Sequence, residues 1–100
     1  MSRLVTLRRV ARRDLEEAAE AIRRKRPRSA LRFLRAARAT VDRLLAAPEM
    51  GSPYESDHPE LGDVRFSPVR GFRNHLVFYR PTPSGIEVLR VLHGVVCRGK

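Results

Sequence analysis

The sequence predicts an α+β fold of order β-α-α-β-β-β, with an antiparallel helical hairpin packed on one face of a small, mostly antiparallel sheet. Three observations predict it. Near Val10 the apolar spacing changes from alternation to a 3.6-residue period, Pro27 divides the helical stretch, and three runs of strand formers follow a turn-rich segment. One hundred residues, 42% of them hydrophobic, are enough for one domain with a core that needs neither disulfide nor metal.

Residues 3–7, Arg3-Leu4-Val5-Thr6-Leu7, are rich enough in β-formers to read as a first strand. A helix over 10–25 follows, because Leu15, Ala18, Ala19 and Ile22 fall at i, i+3, i+4 and i+7. Its other face sets Arg12 against Glu16, Arg13 against Glu17 and Glu20 against Arg24, each pair contributing about 0.2–0.5 kcal/mol and less in the basic-then-acidic order. Pro27 ends this helix and opens a second over 28–46. There Ala30, Phe33, Leu34, Ala37, Val41, Leu44 and Leu45 form the apolar stripe, and Arg28, Arg32, Arg35 and Arg38 the outer face. So short a link makes the two helices an antiparallel hairpin.

Pro48, Gly51, Pro53, Pro59 and Gly62 make 47–63 a loop. A three-strand meander over 64–93 comes next, in segments 64–68, 72–80 and 86–93, with turns at Gly71 and at residues 81–85. Alternation along 72–80 sends Phe72, Leu76 and Phe78 toward the helices and Arg73, His75, Val77 and Tyr79 outward. With Val64 and Phe66 inside, Arg65 joins Arg73 on the outer face. In 86–93, Ile86, Val88 and Leu92 oppose Leu89 and Val91, which suits a central strand covered on both faces. Arg90 and His93 then fall on opposite sides by parity.

The net charge is +10, with 19 arginines and two lysines. Such charge favours encounter with nucleic acid, acidic proteins or anionic surfaces, but says nothing of fold. The arginine excess is equally the mark of a genome rich in G and C. It is unevenly spread: residues 1–46 carry a balance of +9, residues 64–100 one of +6, and between them 47–63 holds five acids (Glu49, Glu55, Asp57, Glu60, Asp63) and no base.

Several functions are disfavoured. No apolar run is long enough for a bilayer span, arginines interrupt the N-terminus too often for a signal-peptide core, and the single Cys97 suits a reducing compartment. A cytoplasmic protein that does not contact the membrane is expected. There is no glycine-rich phosphate loop and no Cys-x-x-Cys, and His58, His75 and His93 are far apart in sequence, so neither cofactor nor metal is expected. An Arg, His and Tyr cluster on a sheet can bind phosphate or carboxylate and stack on a base. The commoner alternative is a solvated face with Tyr79 half in the core. No catalytic residue is assigned.

The order of elements and a series of short motifs resemble the RelE/ParE superfamily of bacterial toxins. The motifs are Ala11-x-x-Asp14-Leu15, Leu45 through Pro48 and Gly51, Val64-Arg65, Gly71-Phe72-Arg73, Phe78-Tyr79-Arg80 and Arg90-Val91-Leu92-His93-Gly94. Together they cover nearly the whole chain, and the last two resemble the ParE-like branch. The resemblance implies the toxin of a type II toxin–antitoxin module, of the kind linked to plasmid stabilization and growth regulation. Its partner would be a ParD-like antitoxin with an acidic or amphipathic C-terminal tail, and it would meet DNA only through that antitoxin. It implies DNA gyrase as the target, with Arg65, Arg73, Tyr79, Arg80, Arg90 and His93 as candidate contacts. Leu15, Ile22, Leu31 and Arg35 are the candidate antitoxin contacts; Leu31 packing on the first helix is the alternative for that residue. RelE-like members are instead ribosome-dependent messenger-RNA endonucleases with a C-terminal tyrosine, which this chain's tail lacks. A third reading is a toxin-derived module kept only for antitoxin binding and autoregulation. Val95-Val96 departs from the basic and acidic residues that many ParE-like toxins carry after the glycine.

Overall fold

The computed structural model describes residues 4–55 and 62–94. Arg3, the loop residues Asp57, His58 and Glu60, and the tail at 95–100 with Cys97 lie outside the described residues. The first strand, β1, is Leu4–Leu7; helices α1 (Arg9–Lys25) and α2 (Pro27–Ala46) follow with only Arg26 between them. Pro27 opens α2 because its missing N–H is one that a first turn leaves unpaired in any case. Arg23, Arg24 and Lys25 close α1, where positive charge meets the negative end of the helix dipole.

Strands β2 (Ser52–Pro53), β3 (Arg65–Val69), β4 (Phe72–Thr82) and β5 (Gly85–His93) complete a five-stranded sheet of order β1-β5-β4-β3-β2. All neighbours are antiparallel except β1 and β5, which the helical crossover makes parallel. Gly85 sits where β1 begins, and a Cβ there would run into the backbone of Leu4. Within the expected loop, Pro48–Met50 forms a 3-10 turn and Ser52–Pro53 an edge strand. Two residues are too short for a period to be read, and a proline is tolerated at an edge.

The helices cover one face of the sheet. Phe33, Ala37 and Leu44 of α2 and Ala11 of α1 pack with Val69, Val77, Tyr79, Ile86, Val88 and Val91, and Leu15, Ala18 and Ile22 close over them. Phe33 is fully buried, with its ring edge-on to Phe72 at 5.2 Å. Leu34, expected in this stripe, is instead 40% exposed.

The expected assignment of faces on β4 is reversed. Val77 and Tyr79 point to the helices, while Phe78 joins Phe66 and Tyr54 on the other face. Phe72 does pack on the helix side, as expected. The cause is a break in register: Val69 pairs with Phe72, but Pro68 pairs with Leu76, so three extra residues of β4 exchange its faces between Phe72 and Leu76. Both parities of this strand carry apolar side chains, so alternation alone had no means of choosing.

A second irregularity lies in β5, where Phe78 pairs with Arg90 and Tyr79 with Val88, leaving Leu89 over. Core-facing residues are therefore Ile86 and Val88 before the bulge and Val91 after it. The strand is central, between β1 and β4, but is not covered on both faces, since Leu92 is 38% exposed. Of the expected charge pairs on α1, Glu20 meets Arg24 at 3.7 Å, and it also holds Arg23, which was not expected, at 2.7 Å. No ion pair joins Arg12 to Glu16 or Arg13 to Glu17 among the described residues, in keeping with their unfavourable basic-then-acidic order.

Candidate functional site

β1 pairs with β5 only as far as Val88, so the last residues of β5 form a free edge beside α1. Asp14 bridges the gap. Its carboxylate accepts hydrogen bonds from Arg90 Nε at 2.7 Å, Arg90 Nη2 at 3.0 Å and the Val91 backbone N–H at 3.0 Å. Burial acts to raise the Asp14 pKa. The hydrogen bonds of Arg90 and Val91, with the charges of Arg90 and Arg13, outweigh it and leave the group below the ordinary aspartate value. Ala11 is fully buried and Leu15 packs on the core, so the stretch Ala11-x-x-Asp14-Leu15 is the side of α1 that holds β5.

Beyond this clamp, a groove of about 580 Å³ runs between α1 and β5, with Ala18, Ala21 and Ile22 on one wall and Val91 to His93 on the other. At its end His93 faces His75 across the strands, rings 4.6 Å apart. His75 also lies 4.8 Å from the Phe33 ring. Burial, and then the proximity of His93, push its pKa below the ordinary histidine value.

The other candidates are elsewhere. Tyr79 was expected on the outer face, but is fully buried beneath the 3-10 turn. Its hydroxyl donates to the Pro48 carbonyl at 2.6 Å and accepts from the Gly51 N–H at 2.9 Å. Burial is the leading cause that pushes its pKa up, against the opposing Gly51 hydrogen bond. Gly51 is needed here because a Cβ would fall 2.5 Å from the hydroxyl. Arg65 was expected beside Arg73 on the outer face. It lies opposite Tyr79, donates from Nη1 to the carbonyls of Glu49 at 3.1 Å and Gly51 at 2.9 Å, and sets Nε 3.3 Å from Asp63. Tyr79 and Arg65 thus hold the turn at 48–51.

Arg80 donates to Glu87 at 2.9 Å, and Arg8 donates to the other oxygen of the same carboxylate at 2.9 Å. The Arg8 hydrogen bond is the main cause of a lowered Glu87 pKa, opposed by burial and aided by Arg80. Arg73 stands exposed in the irregular stretch of β4, with no ion pair among the described residues. The six candidate contacts therefore occupy four places: Arg90 with His93 at the groove, Tyr79 with Arg65 under the turn, Arg80 at Glu87, and Arg73 at the hairpin.

The candidate antitoxin contacts also separate. Leu15 and Ile22 face the core and are half-buried. Leu31 is 54% exposed; with exposed Leu34, Arg35 and Arg38 it makes a basic, partly apolar face of α2 at helical spacing. Sequence reasoning missed Leu34, whose spacing from Leu31 was the available signal. It also missed the role of Asp14, since nothing local relates it to a strand 76 residues away.

Among the described residues no helix is long and apolar enough to cross a membrane, and no three His, Cys, Asp or Glu side chains gather as a metal site would require. In this chain two helices cover one face of a five-stranded sheet, and the outer face of α2 is basic. A solved structure described as "Chromosomal ParDE TA system from P. aeruginosa" superposes with a TM-score of 0.74 at 19% identity, covering 93% of this chain and 97% of that one. No curated protein matches the chain. The family model of the ParE toxin of the type II toxin-antitoxin system, parDE, matches residues 5–95, and the chain belongs to that family.

Proposed function

We propose that this ParE-type toxin is held inactive by a cognate, ParD-like antitoxin, and that when released it acts in the cytoplasm on DNA gyrase and so blocks replication. The observation that carries the antitoxin reading is the outer face of α2. Leu31 and Leu34 are exposed there beside Arg35 and Arg38, which have no acidic partner among the described residues. An amphipathic, acidic tail segment would bury both leucines and neutralise the arginines. Leu15 and Ile22, which pack against the core, would serve that surface only indirectly, through the seating of α1.

Gyrase as the target rests on the family match and on the ParE-like motifs at 78–80 and 90–94. Arg73 and His93 are the exposed candidates for target contact, while Arg80 and Arg90 are paired with Glu87 and Asp14 and only partly open to solvent. Tyr79 and Arg65 contribute by holding the turn at 48–51. The chain should be induced without its antitoxin and supercoiling, message integrity and growth followed. Lost supercoiling with a DNA-damage response supports the gyrase reading. Cleaved messages with arrested translation would favour the RelE-like nuclease, and unimpaired growth an inactive antitoxin-binding module.

A further inference from the structure

His75 and His93 are eighteen positions apart in sequence and directly opposed in space. The Gly94 N–H bonds the Asn74 carbonyl at 2.7 Å, which identifies His75 and His93 as a non-hydrogen-bonded pair of the ladder. Such pairs bring their Cα atoms to about 4.5 Å and their side chains closest together. Both imidazoles lie on the helix side of the sheet at the open end of the α1–β5 groove. His93 is exposed, while His75 is half-buried with its ring held against Phe33 at 4.8 Å and near Phe72 at 6.5 Å. One ring is thus fixed by packing and the other is free to turn toward it.

We propose that His75 and His93 form a two-imidazole site for a divalent transition-metal ion of the zinc, nickel or copper class. Two nitrogens bound at about 2.0–2.1 Å in tetrahedral geometry stand roughly 3.3 Å apart. Rings whose centres are 4.6 Å apart can present nitrogens at that spacing by a turn of His93 alone. Among the described residues no third His, Cys, Asp or Glu completes the set, so water fills the remaining positions and binding is weaker than at a closed structural site. Imidazole donors select these ions over magnesium or calcium, which prefer oxygen. Asp14 is occupied by Arg90 and Val91, and on the α1 wall Glu17 offsets Lys25, so neither sign of charge dominates the approach. The bound ion would add a side-chain link between the ends of β5 and β4, beside the Gly94–Asn74 hydrogen bond. This site stands apart from the toxin reading and does not depend on it.

The test is calorimetric titration of the full chain with zinc chloride, reversed with EDTA, alongside variants His93→Asn, His75→Gln, His58→Asn and Cys97→Ser. One ion per chain is expected, with affinity reduced at least tenfold in His93→Asn and in His75→Gln, and unchanged in His58→Asn and Cys97→Ser. Should His75→Gln fail to fold, exposed His93 decides the matter by itself. Absence of binding in the parent chain, unchanged binding in His93→Asn, or loss in His58→Asn or Cys97→Ser would overturn the assignment.

Discussion

Asp14 joins α1 to a strand edge that would otherwise have no partner, through one carboxylate and three donors. Its folded pKa is lowered, so the stabilisation is complete above the ordinary aspartate pKa and is lost as pH falls through the folded value. Asp14→Asn should therefore cost about 1–2 kcal/mol at neutral pH. That is low for charge-assisted hydrogen bonds, because the Arg90 side chain is 45% exposed. Denaturant melts at a series of pH values check this: the difference between parent and variant should shrink toward zero in acid. Tyr79→Phe tests a second tether. It removes the hydroxyl that serves both the Pro48 carbonyl and the Gly51 N–H, and leaves the buried Gly51 N–H unsatisfied, so a loss of about 1–3 kcal/mol is expected in thermal or denaturant unfolding. Neither residue's part could be read locally. The sequence marked Asp14 and Tyr79 as members of recurring motifs, but their partners lie 76 and 28 or more residues away.

At the scale of elements, the two helices were legible because a 3.6-residue period over 17 and 20 residues leaves little room for another answer. The sheet was legible in number and order for its longer strands, but not in facing. One register break in β4 and one bulge in β5 exchange inside and outside, and both fall where either parity supplies apolar side chains. Faces were then settled by what the helices could seal. Val77 and Tyr79 fit beneath Phe33, Ala37 and Leu44, and the tyrosine hydroxyl has polar partners waiting in the turn. Gly85→Ala should disturb the β1–β5 contact, where no added Cβ has room, and amide hydrogen exchange should quicken first along Leu4–Leu7. On α2, Leu31→Asp with Leu34→Asp should leave unfolding free energy within about 0.5 kcal/mol of the parent, since both are exposed. The same pair should weaken antitoxin binding at least tenfold in a pull-down or titration. Undiminished binding would move the antitoxin surface elsewhere.

Across the whole molecule, the +10 charge should make antitoxin association fast and strongly dependent on salt, with the on-rate falling as sodium chloride rises and the off-rate little changed. Stopped-flow association at several ionic strengths checks it. What the sequence determined unaided is whatever depends on local period and order: two helices split by Pro27, a following meander, a basic chain with an acidic middle, and motifs whose order resembles ParE-type toxins. The tertiary structure alone decided which sheet face is covered, and which arginines are held and which stand free. Arg65, Arg80 and Arg90 each meet a carboxylate, whereas Arg73 and the α2 arginines meet none among the described residues. It also brought His75 and His93 into contact. The reason is physical. Hydrophobic periodicity is a property of neighbours along the chain, but strand register, and every cross-strand or helix-to-strand pair that follows from it, is set by contacts between residues the chain brings together only on folding.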